Sequence, residues 1–417
     1  MLDFTFIKKV TTLICFACLL FPLSGLAKEL TYPIPCYQGE ELEKVRAWEK
    51  QWVGKKISSS NVDAVKEFLP ESLYTIMKNT ERWGDSWFEI VPYREVPPTP
   101  GNVKSTKKFY GQSRVGQNGE LLNWVTGVPF PDSKIGIEMS HNFRSRSFGD
   151  AYKSTDWGYI VDGRLKYDMD LKIINNMCFF SGRTDTPPVP EFPQNPKQIW
   201  RAFTMLQLAP PETRNMRIME IHYQDRIKPY DSWFWMPAIR RVRRRSTTER
   251  QDAQGGGDFC AFDNLGWDGP IQINKYKYLG TKELLLARHI DKSKLEHTSG
   301  DCIWDGIERE RIKAHLIEAV NEDPNFLYSK MIWYLDPESW QLLYSDRYDR
   351  RGKLWKVLDQ LGFIAKGYGG VEFGHFCSSQ VIDVQRVHST LGLSDQKFGV
   401  NFDRRMFTLQ YLQKHGY

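Results

Sequence analysis

The sequence predicts a mainly β (α+β) fold, one large antiparallel sheet preceded by a short run of helices. Three observations predict it. Aromatic residues make up 14% of the 417-residue chain, and such side chains favour pleated, half-buried surfaces. From Leu165 to Ile173 every odd position is apolar and every even one charged, the period of a strand with one covered and one wet face. Elsewhere, short strand-like runs follow one another across polar turns, as in an antiparallel sheet.

Taken in order, the chain opens with Lys8 and Lys9, an almost wholly apolar run from Val10 to Leu23, and small residues at Gly25 and Ala27. This is the layout of an export signal cleaved near Ala27. The apolar run is too short for a stable membrane anchor. Residues 28–417 then form a single domain, periplasmic if the cell has two membranes. Leu42, Val45, Trp48 and Trp52 make one apolar stripe on a helix over about 40–53. Ser60 and Asn61 offer an N-cap, and Pro70 begins a turn carrying Leu73, Ile76 and Met77. Residues 38–80 are therefore a helical lead-in, closed by Gly84.

Strands are predicted over 87–91, 121–128, 157–161, 165–173, 216–223, 232–242, 276–279, 330–335 and 340–344. Asp336-Pro337-Glu338-Ser339 makes a hairpin turn between the last two, and Asp349–Gly352 makes another before Leu354. Strands thus occupy 81–360. Residues 361–417, rich in Gly, Ser and His from Gly367 to Gly399, are expected to be irregular and packed on the sheet. The proline-rich breaks at 97–101 and 187–193 are not linkers, because strand-like sequence resumes on both sides.

Composition excludes several classes. Hydrophobic residues are 41%, charged residues 26% and mean hydropathy is −0.51, unlike a helical membrane protein or a disordered chain. The net charge of +6 and one isolated basic run do not indicate nucleic acid. Beyond the signal the cysteines are Cys36, Cys178, Cys260, Cys302 and Cys377, with no CxxC pair. A cysteine-based zinc or redox site is therefore not expected, and their pairing is open.

The most unusual stretch runs from Tyr230 to Ser246. As one strand, it places Trp233, Trp235 and Ile239 on one face and Phe234, Met236, Ala238 and Val242 on the other. Both faces are apolar at its start, so it should be central and covered on both sides. Arg240, Arg241, Arg243, Arg244 and Arg245 follow. These guanidiniums suit phosphates, sulfates or carboxylates. The competing expectation is an internal network with Asp252, Asp258, Asp263 and Asp268, since a buried unpaired charge is very costly. The candidate ligand-binding set is thus Trp233, Phe234, Trp235, Arg240, Arg241, Arg243 and Arg244, and the candidate ion network is Asp252, Asp258 and Asp263.

Other chemistry finds no support. The acidic run 252–263 lacks the alternating oxygen ligands of an EF-hand, and Gly255–Gly257 is not followed by the Lys-Ser/Thr of a phosphate loop. No histidine stands in HExxH or HxH spacing, and there is no GxSxG elbow. His375, Cys377 and His388 lie close in sequence, which alone does not make a dyad. No catalytic residue, metal or cofactor is expected.

The motifs do resemble a known family. They are Asn61-Val62-Asp63 with Leu69–Leu73, Gly127–Pro131, Asp231–Arg244, Asp258 with Asp263, Leu279–Leu284, and Tyr348–Lys356. Over nearly the whole chain beyond the signal they are similar to exported Gram-negative proteins known only as a domain of unknown function. That family is grouped with the LolA/LolB-type outer-membrane lipoprotein-sorting carriers. The resemblance implies a large, curved antiparallel sheet forming an incomplete barrel, with helices and an apolar cavity on its concave face and the N-terminal helices as a plug. It also implies an inner-membrane transporter of the resistance-nodulation-division type, or an outer-membrane protein, as partner. The chain is far longer than the sorting carriers, which argues against a lipoprotein cargo. The expected function is a non-catalytic carrier of a lipid or other hydrophobic molecule. Its rivals are a docking subunit without a small ligand and an enzyme acting on an apolar substrate.

Overall fold

The computed structural model describes residues 30–414 other than 247 and 299. The expected export signal and its cleavage near Ala27 lie outside them. Among the described residues no helix is long and apolar enough to cross a membrane. The helices are α1 (Gly39–Trp52), α2 (Glu71–Lys78), α3 (Thr80–Trp83), α4 (Pro100–Phe109), α5 (Gly136–Ser145) and α6 (Leu409–Lys414). Short strands come first: β1 (Lys56–Ile57), β2 (Phe88–Ile90), β3 (Arg114–Val115) and β4 (Leu121–Leu122). The long series follows: β5 (Ala151–Val161), β6 (Tyr167–Phe179), β7 (Ile199–Ala209), β8 (Arg217–Tyr223), β9 (Asp231–Met236), β10 (Arg241–Arg244) and β11 (Lys275–Leu286). It ends with β12 (Ile307–Val320), β13 (Lys330–Leu335), β14 (Leu342–Tyr348), β15 (Leu354–Lys366), β16 (Glu372–Asp383) and β17 (His388–Phe398).

Fifteen of these strands make one sheet in the order β1-β2-β12-β13-β14-β15-β16-β17-β5-β6-β7-β8-β9-β10, with β11 also on β12. Pairing is antiparallel except between β2 and β12. The path does not return on itself, so the barrel is incomplete. β13 and β14 form the hairpin expected around Asp336–Ser339.

The lead-in helices bury the stripe that defines them. Val45, Val65, Leu73 and Ile76 join Leu284, Ile312, Tyr344 and Leu361 in the main core, and Trp48 packs edge-on to Phe68 at 5.3 Å. Helix α5 lies on the opposite face of the same strands, with Phe143 against Trp333 at 5.2 Å. Because sheet side chains alternate faces, Leu361 joins the helix-side core while Gln360 faces the other layer.

Three expectations are corrected here. The segment 232–242 is not one central strand. Pro237 lacks the N–H that a ladder needs, Pro237–Ile239 turns, and Arg240 adopts a left-handed φ of 48°. The chain reverses and β10 pairs back on β9, Arg243 opposite Phe234, at the end of the sheet. Within the segment expected to be irregular, residues 361–398 complete β15 and supply β16 and β17, in the middle of the sheet. Their serines and glycines dilute the alternation that would have marked them. The strand expected over 121–128 stops at Leu122, since Asn123 takes a φ of 58°.

Candidate functional site

A cavity of about 600 Å³ opens on one face of the sheet. Its wall is built by alternate residues of neighbouring strands: Leu171, Ile173 and Met177 of β6, Phe203 and Met205 of β7, Ile218 of β8 and Phe234 of β9. Phe376 of β16 and Leu393 of β17 extend it. The alternating run that predicts a strand thus points Leu171 and Ile173 into this space, while Asp168 and Asp170 stay exposed. The cover is the segment 245–268, through Phe259, Ala261 and Leu265. Among the described residues none of α1–α3 lines the cavity, so the N-terminal helices are not the plug that the resemblance implies.

The cover is pinned by charges. Asp258 accepts hydrogen bonds from His388 Nδ1 at 2.8 Å and Thr390 Oγ1 at 2.9 Å, and the bond from Asp258 raises the His388 pKa. Asp263 accepts from Tyr328 Oη at 3.0 Å and pairs with the fully buried Arg347. Gly255 and Gly256 take φ of 59° and 81°, so the glycine run is a tight turn in the cover. Gly257 sits where a Cβ would come within 2.8 Å of Thr390 Oγ1.

One polar station interrupts the wall. Asp156, Asn175 and Ser394 all line the cavity, and both Asn175 and Ser394 donate to Asp156. Burial raises the Asp156 pKa against these bonds.

Beyond the cover's end stands a cluster of buried arginines. Asp268 pairs with Arg144 at 2.5 Å, with Arg201, and with Arg250 at 3.6 Å. Burial works against its charge, but Arg201 and Arg144 prevail and hold its pKa at about 2. Glu220 meets Arg250 at 3.5 Å and His222 at 3.5 Å. Glu220, His222 and Asp268 lie close enough to ligate a metal. The guanidiniums already claim both carboxylates, so the cluster repels a cation rather than inviting one.

The residues singled out in the sequence fall on three sides. Phe234 lines the cavity, whereas Trp235 is buried on the other face with Met219 and Leu412, and Trp233 packs beside it. Arg240, Arg241, Arg243 and Arg244 are exposed on the edge hairpin. Arg243 pairs with Glu249 and Arg244 with Asp231. Asp258 and Asp263 do join ion pairs, but with His388 and Arg347 rather than with this block, and Asp252 lines the cavity. The cavity's aliphatic wall and the arginines of the buried cluster were not singled out in the sequence. Their only sequence signal is the alternation in β6, because the remaining strands meet there from distant segments. All five described cysteines are free and buried, and burial pushes the Cys377 thiol up to about 12. His375 is buried among Phe373, Phe376 and Phe398, its pKa pressed down to about 3 by that burial. Neither is poised as a nucleophile or base.

An open, mainly β sheet holding one large apolar cavity defines the class. The chain belongs to the family described as protein of unknown function (DUF1329), whose profile matches residues 56–413. It is 23% identical over 319 residues to an uncharacterized protein of Pseudomonas aeruginosa, PA3922, covering 73% of this chain and 68% of that one. Among solved structures it is similar to a DUF1329 family protein from Desulfovibrio piger, at 14% identity and a TM-score of 0.48, covering 66% of this chain and 96% of that one. A LolA superfamily protein from Nitrosomonas europaea matches at 14% identity and a TM-score of 0.37, covering 65% and 95%.

Proposed function

We propose that the protein is a non-catalytic periplasmic carrier or binding protein for a lipid or other hydrophobic molecule, passing its cargo to an envelope transport system. The observation that supports it is the cavity of about 600 Å³ with its wall of Leu, Ile, Met and Phe. A cargo entering that space removes its apolar surface from water, at ~0.8 kcal/mol per methylene buried. The polar station at Asp156 and Asn175 gives one wall a hydrogen-bonding mark, the pattern of a site that orients an otherwise apolar ligand. Phe234 is the member of the tryptophan–arginine block placed to touch cargo; Arg240, Arg241, Arg243 and Arg244 would meet a partner or a head group only at the sheet's edge.

Native mass spectrometry of protein purified from the periplasm, followed by organic extraction, tests the proposal. A lipid-sized adduct removed by extraction is the expected result. Ile173→Trp, which projects an indole into the cavity, should cut uptake of a fluorescent fatty acid at least tenfold while leaving the far-ultraviolet circular dichroism unchanged. A bare mass, with no uptake by the wild type, would turn the assignment to a docking subunit without a small ligand.

A further inference from the structure

The arginine cluster behind the cavity holds more positive charge than the carboxylates beside it can balance. Arg144, Arg201 and Arg250 share Asp268 and Glu220. Arg146 has no carboxylate partner among the described residues: it donates to the backbone carbonyls of Phe143 at 2.6 Å and Leu265 at 3.0 Å and lies over the Phe143 and Phe148 rings. Arg226 has no ion pair among the described residues. Its guanidinium lies 3.5 Å from the centre of the Trp200 ring and 5.2 Å from that of Trp124, and its Nη2 is buried without a hydrogen-bond partner. Burial first, then Arg144 and Arg201, push its pKa well below the arginine range. A guanidinium in that setting needs an anion, since an unpaired buried charge is very costly.

The space for that anion is present. A pocket of about 40 Å³, lined by Arg144, Arg226, His141, His222, Lys228 and Tyr230, opens at this point, against ~10–15 Å³ for a single water. Tyr230 Oη is likewise buried and without a partner, an available donor on a residue that lines the same pocket as Arg226. His141 and His222 are pressed below the usual histidine range by burial, so they present neutral rings. The apolar cavity lies one ion pair away: Asp268 lines the cavity and bonds Arg144, which lines the pocket.

We propose that this pocket is an oxyanion site, taking a phosphate, sulfate or carboxylate group on Arg226, Arg144, Lys228 and the Tyr230 hydroxyl. Guanidinium forks suit such planar or tetrahedral oxygens. The site stands on the arginine cluster and does not depend on what fills the cavity.

Calorimetric titration of the full chain with inorganic phosphate, with monomeric dodecyl phosphate and with dodecanol tests it. Binding of either phosphate that Arg226→Gln weakens at least tenfold, with Lys228→Gln weakening it severalfold, is the expected result. Equal affinity for both phosphates would mark a free oxyanion as the ligand, and binding of dodecyl phosphate alone would mark a lipid head group. Dodecanol reports on the cavity separately, and Arg226→Gln should leave its binding unchanged. If neither phosphate binds the wild type, or if both variants bind them as the wild type does, the proposal is overturned. Lys228 is exposed, so its variant keeps the test valid should Arg226→Gln fail to fold.

Discussion

Glu338 takes four donors on one buried carboxylate. Cys36 N and Tyr93 Oη reach Oε1 at 2.7 Å and 2.6 Å; Val96 N and Arg288 Nη2 reach Oε2 at 2.6 Å and 2.8 Å. It ties the segments before α1 and after β2 to the β13–β14 turn. Glu338→Ala should therefore cost about 3–5 kcal/mol, the range for removing one partner of a buried pair, read as a loss in chemical denaturation. Asp301 carries strain of the opposite kind. Burial, with Asp305 beside it, raises its pKa to about 6 from 3.8. The folded state then holds a proton that the unfolded state has released, so stability falls as pH rises from about 4 to 6. Asp301→Asn keeps the acceptor for Asp85 N, now at 2.8 Å, and should flatten that fall and raise Tm at pH 7. At this scale the acids were visible in the sequence and their partners were not. Asp263 meets Arg347 across 84 residues and Asp258 meets His388 across 130, separations that no local pattern encodes.

Elements differ in how far they announce themselves. The stripe in α1 and the alternation in β6 are local repeats, and both formed where expected. Strand β12 was missed because it opens with Ile307-Glu308-Arg309-Glu310-Arg311, a run that looks like solvated surface. In the sheet Arg309 pairs with Asp359, and Glu310 meets His289 at 2.5 Å, so buried ion pairs stand in for apolar contacts. The β9–β10 hairpin departs from expectation for the reverse reason: its aromatics have the look of a central strand, but Pro237 cannot donate to a ladder and the chain turns there. Four exposed arginines there blunt a free edge. Arg243→Ala should consequently change stability by no more than ~0.5 kcal/mol, as for an exposed ion pair, measured by urea denaturation.

For the whole molecule, the fold class followed from composition and period, but the cavity did not. Its wall gathers β5 to β9 with β16 and β17 under a cover drawn from between β10 and β11. No single strand supplies the wall by itself. Its apolar residues are also those any β core would use, so the sequence alone does not separate a filled sheet interior from a hollow one. The resemblance supplied that expectation, and misplaced the element that closes the space.

The sheet's middle seam joins β17 to β5, with Phe398 opposite Tyr152 and Ser389 opposite Val161. Strands synthesised early and strands synthesised more than two hundred residues later are direct neighbours, and closing so long a loop before its contacts form is slow. A growing chain can pair β5 with β6, but the cavity wall stays open along that seam until residues 388–398 arrive. Assembly of the cavity is in this sense a terminal event: a chain still being made lacks the last strand of the wall that encloses it.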